Sequence, residues 1–258
     1  MEAVVGPRGI LGRDLAEPLL KDERGLYAGA AAAVVQPAST PECAAIVEIC
    51  NAARLGIVPQ GGNTGYCGGA TPFDAERQIL LSLAQMNRVR AIDPVSYTMT
   101  VEAGVILADA QAAAESEGLL FPLSMGSEGS CRIGGTLSTN AGGLNVVRYG
   151  TARELVLGLE VVLPSGEVFE DLKGLRKDNS GYDLKALFLG AEGTLGVITA
   201  AVLKLFPQPR SRQTVWLALP SVAAALDLLD VARRQSSDQV VAAEYVSRAS
   251  LDLVLDHV

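Results

Sequence analysis

The chain has 258 residues, of which 49% are apolar and 19% charged, and its formal net charge is -8. That length buries a substantial core, and that balance belongs to a globular chain and not to a disordered one. The acid excess, with Lys and Arg scattered, excludes nucleic acid as an expected partner, because phosphate contacts need clustered basic residues. Backbone amides and helix N-termini still allow an anionic ligand.

Residues 1–29 read as a polar, irregular N-terminal segment holding at most a short helix, and residues 1–14 lack the apolar run of a signal peptide. Residues 33–37 then read as a short strand ended by Pro37. Thr40, Pro41 and Glu42 predict a helix start, with Thr40 as the capping hydroxyl. Cys43, Ile46, Val47, Cys50 and Ala53 recur at helical spacing, and Gly56 is the expected stop. Residues 56–59 return to a strand that runs into a glycine cluster. Residues 79–83 and 97–102 read as strands, and residues 107–117 as a helix ended by Gly118. Residues 155–163, the turn 164–167 and Val168-Phe169 form a hairpin signature. A strand is expected over 197–206, another over 215–219, then a helix over 221–235 and the opening of a last helix. The longest apolar stretch, 187–206, carries Glu192, Lys204 and internal glycines, too broken for a membrane span. Strands and helices alternate with intervening hairpins, so the fold class is α+β with mixed sheets.

Cys43, Cys50, Cys67 and Cys131 show no CxxC pairing and His257 is the only histidine, so no metal site is expected. Reduced thiols place the chain in the cytoplasm, and Cys67 and Cys131 read as buried free thiols.

Three glycine-rich segments carry the chemistry. In the first, Pro59, Gly61, Gly62, Asn63, Thr64 and Gly65 follow a strand directly. Adjacent glycines let backbone approach a ligand and turn several amides toward one point, although an ordinary tight turn explains this segment equally well by itself. It lacks the Gly-Lys-Ser/Thr ending of a P-loop and is not GxGxxG. The second, 122–143, is dense in Gly, Ser and Thr. Loops this long in compact domains usually carry function, and its amides and hydroxyls suit a pyrophosphate and a ribitol chain. The third, 176–198, contains Gly190-Ala-Glu-Gly-Thr-Leu-Gly196. It offers a second cradle, although by spacing alone a connecting loop explains it slightly better.

In this order and spacing the motifs Gly61–Gly65, 129–135, 139–143, 148–150, 176–183 and 190–196 resemble the vanillyl-alcohol-oxidase-like FAD-linked oxidases. The resemblance is strongest to the branch of D-lactate dehydrogenase, the glycolate oxidase flavin subunit and D-2-hydroxyglutarate dehydrogenase. It implies a PCMH-type FAD-binding domain of two α/β subdomains over 30–209, with 210–258 as the beginning of an incomplete substrate or cap domain. By analogy Pro59 and Gly61 to Gly65 hold the pyrophosphate. Gly126, Ser127, Ser130, Gly134, Gly135, Asn140 and Gly142 line the cofactor, with Glu192, Gly193 and Ile198 nearby. FAD is expected to be noncovalent, since the first glycine turn lacks the histidine that links it in some relatives. The implied reaction oxidises a D-2-hydroxy acid by hydride transfer to flavin N5. No catalytic residue is assigned: the substrate-gripping residues and histidines of the relatives lie in a C-terminal half that this sequence is expected to lack, and Arg148, Arg176 and Lys177 read as structural. The electron acceptor is open, and a separate chain or missing segment is expected to complete the site. The alternatives are a noncatalytic FAD-binding subunit of an electron-transfer complex, or a sugar or aldonolactone oxidase of the same superfamily.

Overall fold

The computed structural model describes residues 1–257. Short helices α1 (Glu2–Val5) and α2 (Arg13–Ala16) and a 3-10 turn (Glu17–Leu20) lead into β1 (Ala33–Val35), α3 (Thr40–Ala53), β2 (Gly56–Gln60) and β3 (Gln78–Ser82). These strands make a parallel sheet in the order β1-β3-β2. Then follow β4 (Val89–Asp93), β5 (Thr98–Glu102), α4 (Leu107–Ser116), β6 (Leu119–Leu120), α5 (Ile133–Ser138) and α6 (Val146–Tyr149). β7 (Val156–Val162), β8 (Val168–Asp171), β9 (Val197–Lys204), β10 (Phe206–Pro207), α7 (Val222–Gln235) and α8 (Arg248–His257) complete the order. A second sheet, antiparallel, runs β4-β5-β9-β7-β8, and β6 pairs with β10. The fold is thus α+β with one parallel and one antiparallel sheet.

The apolar run 197–203 predicts a strand covered on both faces, and β9 is buried from Val197 to Leu203 at the centre of the antiparallel sheet. Helix α3 connects β1 to β2 and also contacts β7. Its Cys43, Ile46, Val47 and Cys50 face therefore joins the two sheets in one core. A polar network reinforces the seam. The buried Glu160 carboxylate on β7 accepts the Thr40 hydroxyl at 2.6 Å and the Thr199 hydroxyl at 2.9 Å, and pairs with Arg90 at 3.1 Å. Arg90 also reaches the buried Glu102 at 3.3 Å, which Arg88 binds at 2.8 Å.

Several expectations are corrected. The N-cap of α3 is Ser39, whose hydroxyl accepts the Glu42 amide at 3.4 Å; the Thr40 hydroxyl is spent on Glu160 instead. Helix α3 stops at Arg54, in left-handed conformation with φ 55°, and Gly56 opens β2. Strand β4 was not foreseen because its residues are mostly exposed and lack a clear apolar alternation. The 122–143 segment is no continuous loop, since it folds around α5. Residues 215–219 form no strand: their apolar side chains are exposed and no neighbouring strand offers a ladder.

Candidate functional site

Strand β2 delivers Pro59 and Gln60 into the turn 61–65, because Pro59 tolerates a strand position there and Gly61-Gly62 lets the chain bend against another backbone. Gly61 faces the Gly135 amide, where an added Cβ would stand at 3.3 Å. Gly62 abuts Ser130 and Cys131 so closely that a Cβ would fall 2.8 Å from Cys131 Cα. Gly193, with φ 77°, packs on the Pro59 ring, again leaving 2.8 Å for a Cβ. The third segment is sewn to the second: the Gly190 amide donates to Leu137 O at 3.0 Å and the Glu192 amide to Ser138 O at 2.9 Å. The structure therefore brings the three glycine-rich segments to one place.

What the turn leaves unpaired is as informative. Among the described residues, the backbone amides of residues 61–65 find no protein acceptor, nor do those of 126–129. Unpaired amides so grouped normally meet water or a ligand. A Cβ at Gly65, Gly126 or Gly129 would meet nothing within 4 Å, so the turns border open space. Gln60 is 1% exposed; its Nε2 donates to Leu19 O at 2.8 Å and Ala70 O at 3.0 Å, while its Oε1 is buried without a partner. Behind Pro59 and Gly193 lies a cavity of about 250 Å³ walled by Val47, Cys50, Ile57, Val162, Gly196 and Val197. A backbone cradle of donors beside an apolar cleft fits a dinucleotide: an anionic diphosphate at the amides and a flat ring in the cleft.

The remaining candidates divide by what already occupies them. Thr64, Ser127 and Ser130 lie on the facing turns. Asn140, at φ 47°, spends its Oδ1 on the Thr151 hydroxyl at 2.9 Å and the Arg153 amide at 3.0 Å, holding the turn's shape. Gly134 packs on Ala103 and Gly142 on Val146, each with a Cβ allowance of only 2.7 Å. Ile198 is 3% exposed within β9 and its side chain belongs to the core. Glu192, exposed and at φ 52°, directs its carboxylate toward Gly69, while its amide binds Ser138 O. Arg176 binds Leu205 O at 2.9 Å and Arg148 lies over the Tyr149 ring, both structural uses.

Two residues escaped the sequence reading. Gln60 sits one residue before the glycines, and only its burial at a strand end marks it. Arg132 packs its Cβ near Gly61 and binds Gly104 O, with burial pulling its pKa below the usual arginine value despite nearby Asp109. Of the cysteines, Cys131 is buried as expected, whereas Cys67 is exposed, a correction that follows from its place in the exposed run 65–67 after the turn. Burial pushes the Cys43 thiol up to about 12. No metal-binding group of His, Cys, Asp or Glu occurs among the described residues, and no helix there is long and apolar enough to cross a membrane.

Comparison with known proteins agrees with this geometry. The sequence profile of the FAD binding domain family matches residues 31–171. A mitochondrial D-2-hydroxyglutarate dehydrogenase of Bos taurus is 42% identical over the whole chain, which covers 47% of that protein. A D-2-hydroxyglutarate–pyruvate transhydrogenase of Saccharomyces cerevisiae is 41% identical over 90% of the chain and 46% of its own length. Among solved structures, an alkyldihydroxyacetonephosphate synthase superposes with a TM-score of 0.72 at 25% identity, covering 81% of this chain and 40% of that one. The chain spans about half the length of the curated relatives it matches. The expected cytoplasmic location does not stand, because the bovine and Arabidopsis thaliana relatives are named as mitochondrial; free thiols had indicated only a reducing compartment. Profile, relatives and cradle agree: this chain belongs to the FAD binding domain family.

Proposed function

We propose that residues 30–209 form a PCMH-type domain holding FAD noncovalently, within a dehydrogenase that oxidises a D-2-hydroxy acid to the 2-oxo acid. The observation that carries this reading is the set of amides at 61–65 and 126–129 without a protein acceptor, on two adjoining turns where a Cβ at Gly65, Gly126 or Gly129 meets nothing within 4 Å. Bound FAD supplies the hydride acceptor; the protein supplies grip, orientation and exclusion of water. Amides 61–65 take the diphosphate, with Asn63 and Thr64 on the same turn. Gly126, Ser127 and Ser130 lie on the facing turn, and Gly135, on α5, lines it beside Gly61. Gly134, Asn140, Gly142, Glu192 and Gly193 keep the cradle in shape, Ile198 anchors it to the core, and the cleft behind Pro59 receives the adenine end. Noncovalent attachment is supported by the turn's lack of histidine, the one histidine being His257 on α8.

The substrate class follows the names of the relatives, and a mitochondrial location goes with it. Residues 210–258 read as the opening of the cap domain, with a separate chain or a further segment completing the substrate site and an electron acceptor left open. A visible spectrum after gel filtration tests the cofactor, followed by anaerobic addition of D-lactate and of D-2-hydroxyglutarate. Retained flavin bands that neither acid bleaches are the expected result. Bleaching by either acid means that this chain alone completes an active site. A colourless protein that refuses added FAD refutes the assignment.

A further inference from the structure

The N-terminal segment before residue 31 lies outside the span matched by the family profile, yet it is bonded to the cofactor turn. The 3-10 turn Glu17–Leu20 leads to Lys21, which bridges antiparallel to Ala28. The loop so closed is organised by Asp22, 6% exposed, whose carboxylate accepts the Tyr27 amide at 2.6 Å and the Arg24 amide at 3.2 Å. Its outer edge supplies carbonyls to the cofactor turn. Lys21 O accepts Asn63 Nδ2 at 2.6 Å and Leu19 O accepts Gln60 Nε2 at 2.8 Å. The Tyr27 ring covers Gly68, where a Cβ would stand 2.9 Å away, and Arg24 stacks 3.6 Å over the Tyr66 ring.

Amides 61–65 make no bonds to protein, so the turn has no hydrogen-bonded ladder of its own to keep it in one shape. Ordering such a turn at the moment of binding costs conformational entropy at every residue fixed, and preorganisation removes that cost. The side-chain ties of Gln60 and Asn63, one residue before the turn and in its middle, end on carbonyls of 19 and 21. We infer that residues 17–29 are a strap that holds the cofactor turn in its binding shape, with Asp22 as the positioning residue. This rests on the reading that residues 61–65 hold FAD.

Electrostatics separates this role from a bystander's. Removing a carboxylate near an anionic diphosphate would by charge alone tighten binding; loss of a positioning residue loosens it. The test is FAD titration of the full chain by flavin fluorescence, together with chymotryptic cleavage after the exposed Tyr66 in the FAD-free protein and a thermal melt. Asp22→Ala is expected to weaken FAD about tenfold, the loss of a charge-assisted backbone bond, and to speed cleavage after Tyr66. Asp22→Asn keeps an acceptor oxygen for the Tyr27 amide and is expected to recover most of the affinity. A folded Asp22→Ala protein with unchanged affinity, or weaker affinity without faster cleavage, overturns the strap. If Asp22→Ala does not fold, Tyr27→Ala, which keeps its backbone amide on Asp22, is judged by the same two readouts. Failure of the unsubstituted chain to bind FAD overturns the cofactor assignment itself, an outcome distinct from loss confined to the variants.

Discussion

Gly62 and Gly65 lie three residues apart in one turn and face opposite surroundings, which makes them a paired test of the cradle. A Cβ on Gly62 would stand 2.8 Å from Cys131 Cα and closer still to the Ser130 carbonyl oxygen, inside the 3.0 Å that real Cβ atoms keep. Both obstacles are backbone, which cannot swing aside as a side-chain tip does. Gly62→Ala must therefore push the 59–65 and 126–131 segments apart. Overpacking of this kind costs about 1–3 kcal/mol, and in a domain of this size each kcal/mol lowers the midpoint by roughly 2–4 °C. A Cβ on Gly65 meets nothing within 4 Å, so Gly65→Ala is expected to leave the FAD-free melt within about 0.5 kcal/mol of the unsubstituted protein. If the open space belongs to the cofactor, the same methyl group intrudes on it and weakens FAD by about tenfold, or 1.4 kcal/mol. Thermal melts of FAD-free protein and fluorescence titrations with FAD read the two effects separately. The reasoning is refuted if Gly65→Ala binds FAD as the unsubstituted chain does, or if the two substitutions cost equal stability.

Other expectations follow from the seam, the thiols and the C-terminal helices. Burial disfavours a charged Glu160 most strongly, but hydrogen bonds from Thr40, Arg90 and Thr199 outweigh it and hold the carboxyl below the usual glutamate range. A lowered folded pKa gives stability that is complete above the unfolded value of about 4.3 and is lost as pH falls through the folded value. Glu160→Gln should therefore lower stability by about 2–4 kcal/mol at pH 7, with the gap to the unsubstituted protein closing in acid; a gap independent of pH in chemical denaturation would contradict this. With a thiol reagent such as DTNB, only the exposed Cys67 should react quickly in the native protein, Cys43, Cys50 and Cys131 following on denaturation; fast native labelling at Cys43 would show the α3 seam to be open. Trp216, the one tryptophan, is 79% exposed, so its emission should be red-shifted and freely quenched by acrylamide, and a blue, protected emission would mean that residues 210–220 are covered.

The glycine turns were legible in the sequence because their chemistry is local. Gly61-Gly62 after a strand already implies close backbone approach, and the structure shows what is approached, Gly135 and Ser130. The longer strands with apolar runs were legible for a similar reason, since a run such as 197–203 carries its own burial, whereas β4 and the two-residue pair β6 and β10 carry too little pattern to show. The partners that depend on distant chain were not. Thr40 reads as a cap because Ser, Thr and Asp look alike at a helix start, and only the arrival of Glu160 from β7 takes its hydroxyl away and leaves Ser39 to cap. Asp22 sits in a polar stretch with nothing in its neighbours to show that its carboxylate is buried. The apolar run at 215–219 fails in the opposite sense: it states a capacity to pair in a sheet, and a strand exists only where a neighbour supplies the ladder. Those residues therefore stand in unpaired, exposed chain with Trp216 bare. An apolar run becomes a strand only with a neighbour to pair and a layer to cover it, and 215–219 has neither among the described residues.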